Sequence, residues 1–122
     1  MLNRLGLIKM GKNFLNAQDN AALQLLSPYM PDKYFAWSQN SIKPRSLLAV
    51  VNDILINDRK TIVEFGAGIS TIIIANLIEK HNLDKRLVSF EHDAQWIDMV
   101  RTYFDSEKVA MHKADVDPNP PF

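Results

Sequence analysis

Apolar residues recur along this chain in two rhythms that take turns. From Pro44 onward Leu47, Leu48, Val50, Val51, Ile54 and Leu55 fall at helical spacing, and a proline suits the first turn of such a helix. Asn57 and Asp58 close it. The short run Thr61–Phe65 follows, apolar on both faces apart from Glu64, the pattern of a parallel strand buried on both sides. After Gly66, Ala67 and Gly68 the spacing turns helical again. Ile72, Ile73, Ile74, Ala75, Leu77 and Ile78 predict a helix over 72–80, with Ser70 or Thr71 as its cap. A polar turn over 81–86 leads to a second strand, 87–90, finishing on Glu91. Asp93 is placed to cap a helix whose apolar face is Trp96, Ile97, Val100, Tyr103 and Phe104, so Trp96 is expected in the core. Val109–Lys113 predicts a third strand, with Asp115 just past its end.

Upstream, Asp19 is placed to cap a short helix through Ala21, Ala22, Leu23, Leu25 and Leu26, which Ser27 and Pro28 end. Residues 1–18 are weakly patterned and read as an arm. The turn-prone stretch 29–41 carries Tyr29, Tyr34, Phe35 and Trp37, aromatic residues suited either to lid a pocket or to plug the edge of a sheet. Strands alternating with helices through tight connections predict a βαβαβ unit, an α/β fold with a Rossmann-like parallel sheet preceded by N-terminal helices. The chain divides on this reading into an arm, 1–41, and a partial Rossmann-like domain, 42–122.

Composition narrows the function classes. Fourteen basic residues balance fourteen acidic ones, so no overall field favours nucleic acid or an anionic membrane. There is no cysteine, which removes disulfides, thiolate metal ligands and cysteine nucleophiles and fits a cytoplasmic protein. No stretch approaches the roughly 20 apolar residues of a membrane span. A metal site is not expected.

The candidate chemistry gathers at the strand ends. Glu64, Glu91 and Asp115 fall at the C-terminal ends of three consecutive strands, the edge where open α/β sheets bind ligands. Two of the four glycines in the chain, Gly66 and Gly68, sit at the first strand-to-helix corner. Glycine there permits a sharp turn and close approach of a ligand, and the next helix aims its N-terminal amides at the same corner. A dinucleotide fingerprint needs a third glycine where this chain has Thr71. Glu64, two residues before Gly66, would repel a phosphate held nearby. Glu91 lies at the distance along the chain where an acid accepts from both ribose hydroxyls.

In these residues the chain resembles the class I S-adenosylmethionine-dependent methyltransferases. Val63-Glu64-Phe65-Gly66-Ala67-Gly68-Ile69-Ser70-Thr71 is similar to the family's first motif, Phe90-Glu91-His92-Asp93 to its second, and Ala114-Asp115 to its third. The Gly-x-Gly-x-Ser-Thr form is similar to a subset acting on small molecules, with Ser70 replacing the commoner third glycine. The resemblance covers about residues 42–116. It implies S-adenosylmethionine as cofactor, with Glu64 and the backbone of Gly66, Ala67 and Gly68, beside Ser70 and Thr71, facing its methionine part. Glu91 would hold the ribose hydroxyls, His92 would lie against adenine or ribose, and Asp115 would accept from the adenine amine. Ser41, with Trp37 and Ser38, is a further candidate for the cofactor carboxylate. His81 and His112 are expected in structural roles.

The family's domain continues past a third strand with the half that carries acceptor recognition, so the cofactor-binding half of a longer methyltransferase is expected. Otherwise another copy of the chain or a partner is needed at the open sheet edge. The expected acceptor is a small molecule. Two alternatives stand beside this reading, an NAD- or nucleotide-binding half-domain and a non-catalytic cofactor-binding protein.

Overall fold

The computed structural model describes residues 17–38, 40–117 and 119; residues 1–16, most of the stretch 1–18 read as an arm, lie outside the described residues, as do 39, 118 and 120–122. Helix α1 (Ala17–Leu26) runs into a 3-10 turn (Ser27–Tyr29), and α2 (Pro44–Ile56) precedes β1 (Thr61–Phe65). Helix α3 (Ile69–Lys80), β2 (Arg86–Glu91), α4 (Ala94–Arg101) and β3 (Val109–Lys113) complete the order. The strands form a parallel sheet in the order β1-β2-β3, with Phe65 opposite Phe90 and Phe90 opposite His112. The fold is α/β, and the arrangement is that of a Rossmann-like half. No helix among the described residues is long and apolar enough to cross a membrane.

Helix α3 is the centre of the molecule. Eight of its twelve residues are buried, including Ile72, Ile73, Leu77 and Ile78, because it packs between the sheet and α2. A helix apolar all round has to be enclosed in this way. Leu26, Leu47, Val51 and Ile54 from α1 and α2 join Leu87 of β2 in the same core, with Ile62 of β1 and Val109 of β3 packed against it. The aromatic stretch contributes Tyr29, Phe35 and Trp37 to its border.

Several boundaries differ from the sequence reading, each for a long-range reason. Helix α3 starts at Ile69 with Gly68 as the residue before it, so Ser70 and Thr71 lie inside its first turn. Asp19 does not precede α1 but lies within its first turn, buried, where Oδ1 accepts the Arg45 amide at 3.1 Å and so caps α2. Helix α4 stops at Arg101, leaving Tyr103 and Phe104 in the loop beyond it.

The expected burial of β1 on both faces is not found. Leu87, Ser89 and Glu91 alternate inward beneath the helices. On the other face Val63 is 51 % and Phe65 is 85 % exposed. Phe65, Phe90 and His112 make a stacked row across this face, with centroids 5.7 and 5.5 Å apart.

Candidate functional site

The glycine corner is held from three directions. The Gly66 amide donates to Phe90 O at 2.7 Å, continuing the β1–β2 ladder by one residue. The Ala67 amide donates to Glu91 Oε1 at 3.1 Å, and the Gly68 amide to Thr71 Oγ1 at 3.0 Å. The Ala67 carbonyl accepts from Trp96 Nε1 at 2.6 Å. Gly66 has φ of +90°, a conformation side-chain-bearing residues rarely adopt, and a Cβ built there would meet nothing within 4 Å. At Gly68 the backbone is extended, and a Cβ would come no closer than 4.0 Å, to the Trp96 ring. Both glycines therefore border open space.

Glu64 does not project freely from its strand. Ser70 Oγ donates to its Oε2 at 2.8 Å, and Thr71 Oγ1 donates to its Oε1. Thr71 is thus a relay, accepting from Gly68 and donating to Glu64, and it is fully buried. Burial pushes the Glu64 carboxyl above the usual range, and the hydroxyls of Thr71, Ser89 and Ser70 oppose that shift by favouring the charged form. Ser89, opposite Glu64 in the register, lies close enough to exert that pull, yet its buried hydroxyl makes no bond of ordinary geometry.

Glu91 is 8 % exposed, and its second oxygen accepts from the Asp93 amide at 3.0 Å and lies 3.1 Å from His92 Nδ1. A carboxylate has about four acceptor positions, so two remain after the two amides, and His92 Nδ1 stands against one of them. Asp93 caps α4 as expected, accepting from Gln95 and Trp96. Asp115 stands apart, exposed and paired with Lys113 at 2.8 Å, whose ammonium lowers its pKa.

A cavity of about 670 Å³ opens beside this corner, a size suited to a small-molecule ligand. Glu64, Gly66, Ala67, Gly68 and Ser70 form one wall. Phe35, Ser38, Asn40, Ser41 and Ile42 form another, and Leu47, Val50, Ile74 and Trp96 supply apolar surface. Ser41 is held in its turn by Ser38, whose carbonyl accepts the Ser41 amide at 3.0 Å. Among the described lining residues Glu64 is the one ionisable group.

The structure therefore gathers seven of the sequence candidates at one corner: Glu64, Gly66, Ala67, Gly68, Ser70, Thr71 and Glu91, with Ser41 across the cavity. Thr71, Glu91, His92 and Asp115 do not line the cavity. Phe35, one of the aromatic residues offered as a pocket lid, does line it, as do Asn40 and Trp96, which the sequence reading had not placed in the site. Trp96, expected in the core, is 36 % exposed and tilted against Phe35 at a centroid distance of 5.7 Å. Its helical spacing was legible. That its helix begins beside the glycine corner was not. Among the described residues no group of acidic or histidine side chains is arranged to hold a metal ion.

No protein-family model matches the chain, and neither a curated protein nor a solved structure matches it significantly.

Proposed function

We propose that this chain is the cofactor-binding half of an S-adenosylmethionine-dependent methyltransferase acting on a small molecule. The observation that carries the reading is the state of the corner's amides. The N–H groups of Gly66, Ala67 and Gly68 all donate within the protein. A phosphate-cradling loop needs such groups free to meet the anion. The cavity adds no cation and one carboxylate, Glu64. A pyrophosphate would find none of these three amides free and no counter-charge, whereas a ligand carrying an ammonium and a sulfonium suits an acidic corner. The NAD reading is disfavoured on the same ground.

In this proposal each residue has a limited task. Gly66 and Gly68 leave room for the methionine part of the cofactor. Glu91, 8 % exposed and behind the cavity wall, would take a ribose hydroxyl at an acceptor position left by the two amides and His92. Ser41 and Ser38 offer hydroxyls at the opposite wall, and Phe35 and Trp96 exclude water. The bound cofactor supplies an already activated methyl group, so positioning can contribute much of the rate.

Calorimetry with S-adenosylmethionine, S-adenosylhomocysteine and NAD tests the reading. Binding of the two sulfur ligands in preference to NAD is expected. Tighter binding of NAD than of both would sink it. A non-catalytic binding protein would show the same ligand preference, and the absence of methyl transfer to any small acceptor would then favour that alternative.

A further inference from the structure

The peptide groups around Ala67 are held at both ends by side chains from distant elements. Its amide donates to Glu91 at the end of β2, and its carbonyl accepts from Trp96 on α4. The flanking residues are glycines, which impose little conformational restraint of their own. Without the indole donor, the Ala67–Gly68 peptide has no described hydrogen bond to its oxygen and is held only through the Gly68 amide's bond to Thr71. Trp96 reaches further than the loop. Its ring packs against Phe35, which also meets Tyr103 edge-on at 5.1 Å, and Tyr103 donates to Tyr34 O at 2.6 Å. One side chain thus touches both the glycine wall of the cavity and its aromatic wall.

We propose that Trp96 is a positioning residue that fixes the glycine corner for its ligand and ties it to the segment carrying Phe35. As regards the ligand, this rests on the cofactor reading above; as regards the loop, it stands alone. A purely structural role would place the indole in the core, yet Trp96 is among the exposed large apolar residues, and the core of α4 is made by Ile97 and Val100. The ring's nitrogen meets the loop and the ring itself lies tilted against Phe35, so the two functions can be separated.

Trp96→Phe keeps an aromatic ring beside Phe35 and removes the donor. Amide hydrogen exchange on the ligand-free chain should show the Ala67 and Gly68 amides exchanging about tenfold faster, the scale of one ordinary hydrogen bond. Exchange in β2 and the denaturation midpoint should be little changed. In parallel, affinity for S-adenosylhomocysteine should fall about tenfold for the same reason. The chain has two tryptophans, so in a Trp37→Phe background emission comes from Trp96 alone and should shift when S-adenosylhomocysteine binds. Unchanged exchange at Ala67 and Gly68 overturns the positioning role. Faster exchange with unchanged affinity overturns its link to the ligand. If the parent chain binds no S-adenosylhomocysteine, the cofactor reading falls, and the exchange measurement still decides whether Trp96 holds the loop.

Discussion

The Glu91 carboxylate at the end of β2 accepts the amide of Ala67, 24 positions earlier in the chain, at 3.1 Å. The second strand thereby holds the loop that follows the first. One side chain serves the fold and, in the proposed function, the ribose. Replacing Glu91 with alanine should weaken S-adenosylhomocysteine binding by about 1.5–3 kcal/mol, the scale of hydrogen bonds to a charged group. Calorimetry on a variant whose circular dichroism matches the parent measures this. Unchanged affinity would remove Glu91 from the site.

Thr71 is fully buried, with Gly68 donating to its hydroxyl and Glu64 accepting from it. Valine has nearly the same shape and can do neither. Thr71→Val should destabilise the chain by about 1–3 kcal/mol, because it strands the partly buried Gly68 donor and removes one of the carboxylate's donors. Urea denaturation gives the value. A change below about 0.5 kcal/mol, the usual range for surface substitutions, would show that the relay contributes nothing.

The two glycines should respond differently to alanine. Gly66→Ala forces a side chain into a left-handed conformation and should cost about 1–2 kcal/mol of stability. Gly68→Ala meets an extended backbone and no contact closer than 4.0 Å, so the fold should tolerate it. Its methyl group would border the cavity, and loss of ligand affinity should exceed loss of stability. Thermal melts and calorimetry on both variants would reveal the contrast, and equal melting temperatures would contradict it.

Glu64 sets a direction for pH dependence. Burial raises its folded pKa above that of the unfolded chain, so between the two values the native state binds more protons. Its contribution to stability is greatest below the unfolded pKa and is lost as pH rises through the folded pKa. The slope from one proton is at most about 1.4 kcal/mol per pH unit. Glu64→Gln should flatten stability over that interval. A parent and variant with parallel pH profiles would argue against the assignment.

How far the sequence carried differs from residue to residue. The bounds of β1 and β3 and the start of α2 at Pro44 were legible because local periodicity and turn chemistry specify them. That Glu91 and the glycine corner share one edge of the sheet was legible too, because parallel strands bring their C-terminal ends together; that its carboxylate accepts the Ala67 amide was not. The start of α3 was misplaced because its first-turn hydroxyls are engaged by Glu64, a residue of the preceding strand. Asp19 carries the composition of a local cap, yet it caps a helix 26 positions away. For Trp96 the spacing showed a stripe, but a stripe does not tell which neighbour it meets. Nor can an apolar run such as Thr61–Phe65 reveal whether anything covers each of its faces.

The stacked row of Phe65, Phe90 and His112 has a practical consequence for the chain in solution. Parallel sheets are ordinarily shielded on both sides, and an exposed apolar patch beside an unpaired strand is a template for self-association. The described part of this protein should therefore be limited in solubility before it is limited in stability. Light scattering should rise with concentration at temperatures well below the melting transition. Phe65→Ser, which alters a side chain that is 85 % exposed, should reduce that scattering while leaving the melt nearly unmoved.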